Sequence, residues 1–503
     1  MVPSEKRRGG SEGDTMDVQE GVSPEDEGNR GVNEGRRVSR REFLKVAGIA
    51  GATVGMGAGL GGLVAACGSS ATTTTGATTA TTIGPATTAG ASTTVTAAAK
   101  AGREIKLGFV TPHTGGLASF GIPDTYCVTR WTEAIGDGMV LGDGQKHPIS
   151  ITVSDSQSDS NRAAQVAGDL INNTNIDVMM VASTADTVVP VADQCEAAGV
   201  PCWATDVPWE SFFYGRKGDP KVGFKWTYDA FVGFGDVVGM WLDVFPKLPT
   251  NKVIGWLSEN NVDGNTAAQT IPPVLEKAGY KVINAGLYQG GTEDFSSIIS
   301  AFKKAGTQIV AGPIPQPGDF ATFWKQAIQQ SLIPIIAEIS AALLFPESVV
   351  ALGNIGYGLC TDAWWAPSFP FKSSLTGETC QEVADDYEKR TNQEWTQPLM
   401  HYILFELVAD ALKRAQDVES KESIIQAVKT TKLDTLGGPV DLTSADPNRL
   451  PVPNVYATPD AAGQWVKGTK WPYDIAIIGN ARASMVPLTG TLQPLSAFPA
   501  YKS

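Results

Sequence analysis

The fold class is decided by the pattern that begins with residues 105–121, which read IKLGFVTPHTGGLASFG. Residues 105–110 are a short β-rich run and predict a strand. From Arg103 onward, runs of this kind alternate with helical segments. That alternation is typical of a parallel sheet that is covered by helices on both faces.

The alternation continues for about 330 residues. The predicted strands are 105–110, 149–153, 178–181, 253–257, 280–283, 309–311 and 335–337. The predicted helices are 161–173, 266–278, 295–305, 319–330, 382–390, 399–416 and 421–430. Three helix-to-strand joints carry a C-cap glycine, at Gly199, Gly279 and Gly306. The sequence therefore predicts an α/β fold with two Rossmann-like, doubly wound lobes and a Pro-rich, strand-like tail.

The composition indicates a globular chain and excludes several function classes. Of 503 residues, 42% are hydrophobic and 18% are charged, and the formal net charge is −14. This balance lacks the basic surface that nucleic acids or anionic lipids require, so we expect no nucleic-acid partner. Three histidines and the absence of paired Cys-x-x-Cys motifs leave little material for a zinc site. We expect neither a metal nor a cofactor.

The first 67 residues predict an export signal. Residues 1–38 hold almost no large apolar side chains, which predicts disorder. Arg40 and Arg41 precede an uncharged run, 46–66, of which seven residues are glycine, and this matches a twin-arginine (Tat) signal. The run ends at Cys67 in a sequence that resembles a bacterial lipobox, so Cys67 is expected to carry a lipid anchor. The alternative is an uncleaved anchor, because 21 helical residues span roughly 30 Å.

The next segment predicts a tether. Residues 68–102 are mostly Thr, Ala, Gly and Ser, which is typical of a flexible linker. The folded domain is then expected to occupy 103–503. With the lipid anchor, this arrangement places the domain at the outer face of the cytoplasmic membrane, held there by lipid alone.

The folded part resembles the type I periplasmic binding proteins, in the branch of the leucine/isoleucine/valine-binding receptors of ABC importers. The resemblance extends from Arg103 to about Gly479. It is carried by residues 105–121, 155–162, 189–193 (VPVAD) and 396–400 (TQPLM). It implies a clamshell in which three crossings join the lobes and the ligand lies between them. The expected crossings are 226–229, 358–363 and 437–456, which gives a first lobe of 103–226 and 362–438 and a second lobe of 229–358 plus the tail.

The resemblance also implies a function. It predicts a monomeric, non-catalytic receptor that closes on a small molecule and delivers it to an ABC permease. A ligand sensor with the same fold is an open alternative. A lipid-anchored hydrolase is a third reading, although His113, His147 and His401 have no obvious catalytic partners in the sequence.

The resemblance places ligand contacts in loops that follow the strands. These candidates are Phe120, Thr184, Ala185, Asp186, Thr187, Ala204, Thr205, Asp263 and Glu338. The family binds a ligand carboxylate at the loop 184–187, and Asp186 departs from that pattern because it would repel a carboxylate. Glu338 is expected to hold a ligand ammonium group. The structural alternatives are helix N-caps for Asp186, Thr187 and Asp263, and a surface carboxylate for Glu338.

Aromatic residues suggest the shape of the ligand. Trp209 and Trp364 are the best candidates for contact with an apolar or cyclic ligand body, and core packing is the alternative for both. Since Asp186 and Asp206 lie in or beside the contact loops, we expect a small polar-headed ligand with such a body.

Five cysteines follow Cys67. In an exported chain, Cys195 with Cys202 and Cys360 with Cys380 suggest two local disulfides, which leaves Cys127 unpaired. The alternative is a set of buried thiols.

Overall fold

The computed structural model describes residues 99–444 and 452–502. The twin arginines Arg40 and Arg41, the lipobox cysteine Cys67 and residues 68–98 of the expected linker lie outside these ranges. Over the described part of the chain, no helix has both the length and the apolar character needed to cross a membrane.

The first of two large sheets has six strands, and every pairing in it is parallel. Its strands are β1 (Ile105–Thr111), β4 (Ile149–Asp155), β5 (Val178–Ala182), β6 (Cys202–Thr205), β7 (Thr227–Ala230) and β15 (Val455–Tyr456). Their order across the sheet is β15-β7-β6-β5-β1-β4. The register pairs Phe109 with Val153 on one side and Met180 on the other.

The second large sheet has seven strands. They are β8 (Val253–Trp256), β9 (Lys281–Asn284), β10 (Ile309–Ile314), β11 (Ile336–Ala341), β12 (Cys360–Ala363), β16 (Ala461–Lys467) and β17 (Tyr473–Gly479). The order is β17-β16-β12-β11-β10-β8-β9. β16 and β17, from the expected strand-like tail, form an antiparallel hairpin on the edge of an otherwise parallel sheet. Two small antiparallel pairs complete the strands, β2 (Met139–Val140) with β3 (Lys146–His147) and β13 (Lys432–Thr435) with β14 (Gly438–Asp441).

Helices connect the strands and cover the sheets. They are α1 (Asp124–Ile135), α2 (Ser160–Asp169), α3 (Ala185–Ala198), α4 (Trp209–Phe213), α5 (Phe234–Val244), α6 (Val262–Lys277), α7 (Ser296–Ala305), α8 (Pro317–Gln329), α9 (Pro346–Val350), α10 (Cys380–Thr391), α11 (Tyr402–Arg414) and α12 (Lys421–Lys429). Gly199 and Gly306 end α3 and α7 in the left-handed conformation, at φ 70° and 69°, as predicted. α11 packs against β5 and β6, so this late part of the chain belongs to the first lobe.

The two-lobed α/β fold is confirmed, but the expected crossings are displaced. β7 pairs with β6 in the first sheet, so the first crossing comes after Ala230 rather than at 226–229. Glu338 pairs with Cys360 in the second sheet, so the second crossing follows Ala363. The third lies between β15 and β16, and the first lobe therefore reaches Tyr456 rather than 438.

The predicted disulfides are wrong in this structure, in which the five described cysteines are buried free thiols. Cys360 lies in the core of the second lobe, whereas Cys380 begins α10 and donates a hydrogen bond to Leu436 O at 3.4 Å. Cys195 and Cys202 are neighbours in the first lobe, and burial raises the pKa of the Cys195 thiol. The alternative of buried thiols describes all five.

Candidate functional site

A cavity of about 40 Å³ lies between the two sheets, where their parallel strands end. This is the position at which open α/β sheets bind ligands. The first sheet and the crossing after it contribute Phe120, Thr184, Asp206, Pro208, Phe231 and Val232. The second lobe and the crossing after β12 contribute Phe234, Val237, Asp263, Ile271, Pro313, Pro315, Ser340, Ala341, Asp362 and Trp364.

The structure brings only some of the candidate residues to this cavity. Phe120, Thr184, Asp263 and Trp364 line it. The other seven candidates do not line the cavity: Ala185, Asp186, Thr187, Ala204, Thr205, Trp209 and Glu338. Asp362 and Ser340 also line it, and neither was among the candidates selected from the sequence.

Asp263 joins the two lobes. Its Oδ2 accepts a hydrogen bond from the backbone N–H of Ala185 at 3.1 Å, at the N-terminus of α3. Its Oδ1 is buried and forms no hydrogen bond of good geometry with the described residues, although the Ser211 hydroxyl lies nearby. Burial raises the pKa of Asp263 to about 7, a rise that the Ser211 hydroxyl and the Ala185 N–H only partly offset. The expected alternative, an N-cap role, is wrong because Asn261 caps α6 by accepting from Gly264 N.

The loop before α3 was expected to hold ligand contacts or, alternatively, a helix N-cap at Asp186 or Thr187. Thr184 occupies the N-cap position, but its hydroxyl makes no capping hydrogen bond and is buried without a partner among the described residues. Asp186 and Thr187 lie inside the first turn of α3, so neither is the N-cap. Burial raises the pKa of Asp186.

A buried Asp-His-Asp network supports the cavity wall. His401 lies between two carboxylates: its Nδ1 is 2.6 Å from Asp124 Oδ1, and its Nε2 hydrogen-bonds to Asp206 Oδ2. The hydroxyl of Thr111 donates to Asp124. Burial lowers the pKa of His401, but the negative charges of Asp206 and Asp124 outweigh this effect and raise it to about 10. His401 is therefore an imidazolium at neutral pH.

Trp364 forms an aromatic wall with two other rings. It meets Phe231 edge to face, with ring centroids 4.4 Å apart, and stacks at 6.4 Å with Phe120. Its indole Nε1 donates to Asp362 Oδ2 at 3.3 Å, and Ser340 Oγ donates to Asp362 Oδ1 at 2.7 Å. Burial raises the pKa of Asp362, partly offset by these hydrogen bonds.

Glu338 lies behind this wall rather than in it. It sits within β11, opposite Ala311 and Cys360, and is fully buried, so it is neither a cavity residue nor a surface carboxylate. Burial raises its pKa well above the usual range, and the nearby carboxylate of Asp362 raises it further. Because Glu338 does not line the cavity, the structure does not place it where it was expected to contact a ligand ammonium group.

Three further candidates have structural roles. Thr205 Oγ1 donates to Ala230 O at 3.0 Å and ties β6 to β7. Ala204 is buried inside β6. Trp209 is buried in the core of the first lobe, with its ring 5.8 Å from that of Tyr214.

Within the described residues, no group of three or more His, Cys, Asp and Glu side chains is arranged to hold a metal ion. The charged and polar groups that line the cavity are three aspartates and two hydroxyls, and they lie beside a set of aromatic rings.

Comparison with protein-family profiles identifies one family for most of the chain. A family profile described as periplasmic binding protein matches residues 104–459. Comparison with curated proteins finds no match.

Solved structures share the fold at low sequence identity. A leucine-binding protein LivK from Thermotoga maritima is 17% identical, with a TM-score of 0.61 over 75% of this chain and 99% of that one. LivJ from Streptococcus pneumoniae, solved with isoleucine, is 15% identical, with a TM-score of 0.59 over 74% and 99% of the two chains. A solute-binding protein of an ABC transporter from Rhodopseudomonas palustris, solved with 3,4-dihydroxybenzoic acid, is 19% identical, with a TM-score of 0.59 over 74% and 96%. At these identities the similarity shows the fold and leaves the ligand open.

Proposed function

The chain belongs to the periplasmic binding protein family, and from that premise we propose that it is a solute receptor that binds one small organic ligand between its lobes and delivers it to an ABC importer. The family implies a location outside the cytoplasm. We propose that the protein acts as a monomer and without catalysis.

The observation that carries this proposal is the composition of the cavity wall. Thr184 and Asp206 come from the first lobe, whereas Asp263 and Ser340 come from the second. A ligand in this cavity would contact both lobes at once. Such a ligand selects the closed arrangement because only that arrangement offers all of the contacts.

Two of the three histidines support a binding role over a hydrolase. The ring nitrogens of His401 contact Asp124 and Asp206, and those of His147 contact Arg103 O and Asp143. Neither imidazole is placed as a base beside a Ser or Cys nucleophile, which a hydrolytic triad requires.

We further propose that Arg40 and Arg41 direct export and that Cys67 carries a lipid anchor. The linker that begins at residue 68 would then let the binding domain move above the membrane while it searches for the permease.

Closure can be tested by small-angle scattering. The full chain as purified is compared with the same chain after unfolding in guanidinium, washing and refolding, which removes a bound ligand. A larger radius of gyration after stripping, reversed by the small-molecule fraction of the wash, is expected. An equal radius in all three samples would contradict closure between two lobes.

A further inference from the structure

The charges around the cavity point to the chemical class of the ligand. Three lining residues are aspartates, Asp206, Asp263 and Asp362, and none of the described lining residues is Lys, Arg or His. We propose that the ligand carries a positively charged amine or quaternary ammonium head on an apolar or aromatic body, and that it lacks a free carboxylate. This inference rests on the proposed function, because it takes the cavity between the lobes as the ligand site.

The carboxylate of Asp263 already accepts the hydrogen bond from the helix N-terminus at which an anionic ligand group would bind. A helix N-terminus offers free N–H groups that attract anions. At the N-terminus of α3, the N–H of Ala185 is bonded to Asp263 Oδ2. A ligand carboxylate would have to displace Asp263 and would then lie beside its negative charge.

Two buried polar atoms at the cavity lack a well-formed hydrogen bond. Asp263 Oδ1 and Thr184 Oγ1 form no hydrogen bond of good geometry with the described residues, although the Ser211 hydroxyl lies near the Asp263 carboxylate, and each residue is more than nine-tenths buried. Buried oxygen atoms of this kind normally accept or donate a hydrogen bond. An ammonium head can donate to both, and the hydrogen bond to Asp263 would be charge-assisted.

The other two cavity aspartates, Asp206 and Asp362, differ in whether a positive charge neutralises them. Asp206 shares the imidazolium of His401 with Asp124, which leaves one negative charge on that network. Asp362 accepts hydrogen bonds from Ser340 and Trp364 but faces no basic side chain among its described partners. Asp263 is therefore the primary contact for the head, and the remaining negative charges favour a cation over a neutral or anionic group.

The aromatic residues suit the same ligand. Phe120, Phe231, Phe234 and Trp364 line the cavity, and the rings of Phe231 and Trp364 meet edge to face. Ring faces attract cations through their quadrupoles and also pack against an apolar body. The burial that raises the pKa of Asp263 agrees with this assignment, because a bound cation favours the ionised carboxylate that burial disfavours.

The test uses three aromatic probes of similar size that differ in charge: 2-phenylethylamine, 2-phenylethanol and 3-phenylpropanoate. Binding to the full chain is measured by isothermal titration calorimetry at pH 7.5, with leucine and isoleucine in parallel. We expect the amine to bind at least tenfold more tightly than the alcohol and at least a hundredfold more tightly than the carboxylate. This series uses the unmodified chain and needs no variant.

A matched pair of variants locates the effect. D263N keeps the shape of the side chain and removes its charge, and it should weaken amine binding at least tenfold. D169N removes a charge at the exposed end of α2, outside the cavity lining, and it should change amine binding less than threefold. Equal losses in the two variants would overturn the assignment of Asp263.

The outcomes separate the ligand class from the proposed function. Binding of leucine or 3-phenylpropanoate that is as tight as or tighter than binding of the amine overturns the cation assignment and leaves the receptor function intact. Failure of every probe to bind overturns the cation assignment as well. The scattering comparison of the purified and stripped chain then decides separately whether the receptor function stands.

Discussion

The backbone N–H of Ala185 donates a hydrogen bond to Asp263 Oδ2 of the other lobe, at 3.1 Å. Ala185 begins a helix of the first lobe and Asp263 lies in the first turn of a helix of the second lobe. This hydrogen bond therefore joins the lobes beside the cavity. It contributes to the closed arrangement, and a ligand that contacts both lobes would add to that contribution.

Removal of this bond should shift the protein toward an open arrangement. In Asp263→Ala the lobes lose one buried hydrogen bond, which contributes about 1 kcal/mol. Small-angle scattering of the ligand-free variant should give a larger radius of gyration than the unmodified chain, while Asp169→Ala, at the exposed end of α2, should not change it. A radius that is the same in all three proteins would show that the Ala185–Asp263 bond does not hold the lobes together.

His401 should be essential for stability. His401→Ala leaves the carboxylates of Asp124 and Asp206 buried without their shared counter-charge, and loss of one partner from a buried ion pair costs about 3–5 kcal/mol. Urea unfolding should show a loss of that size. Adding Asp124→Asn to His401→Ala should recover part of it, because one uncompensated charge is then removed. No recovery in the double variant would argue against the charge explanation.

The same network predicts a dependence of stability on pH. The pKa of His401 is raised from about 6.5 in the unfolded chain to about 10 in the folded protein, so the folded state holds its proton more tightly. This stabilisation is complete below about pH 6.5 and is lost as the pH rises toward 10. The unfolding free energy of the unmodified chain should fall over this window more steeply than that of His401→Gln. Parallel curves would contradict an imidazolium at this site.

Tryptophan fluorescence should report the cavity through Trp364 and not through Trp209. Trp364 lines the cavity and Trp209 is packed in the core of the first lobe. Trp364→Phe should therefore abolish most of the fluorescence change when 2-phenylethylamine is added. Trp209→Phe should retain the fluorescence change. Loss of the change in that variant would indicate that the ligand binds near Trp209 instead.

The N-terminal predictions can be tested in cells. Changing Arg40 and Arg41 to Lys should trap precursor in the cytoplasm, because the twin-arginine pattern is then lost. Cys67→Ser should be exported but not lipidated, and fractionation should find it released from the membrane. Normal membrane retention of Cys67→Ser would refute the lipid anchor.

The fold was predictable because its signals are local. β-rich runs and C-cap glycines mark the strands and helix ends, as Gly199 and Gly306 illustrate. The placement of Glu338 failed because the strand was predicted to end at residue 337, whereas β11 continues to Ala341. The cavity is lined at the true end of that strand, by Ser340 and Ala341.

The polar network could not be predicted because it depends on contacts between distant parts of the chain. His401 lies 277 residues from Asp124 and 195 from Asp206. The available local signal was that His401 directly follows residues 396–400, a segment that resembles the family. Gln397 in that segment accepts from Trp364 N at 2.8 Å, so the segment positions the aromatic wall as well as the imidazolium.

The central claim is that one small molecule is held between the lobes, and native mass spectrometry of the full chain tests it most directly. The unmodified protein, purified without denaturation, should carry one small-molecule adduct per chain. Asp263→Ala and Trp364→Phe should lose most of that adduct, whereas Trp209→Phe should retain it. An adduct that persists in both cavity variants, or the absence of any adduct from the unmodified protein, would contradict the claim.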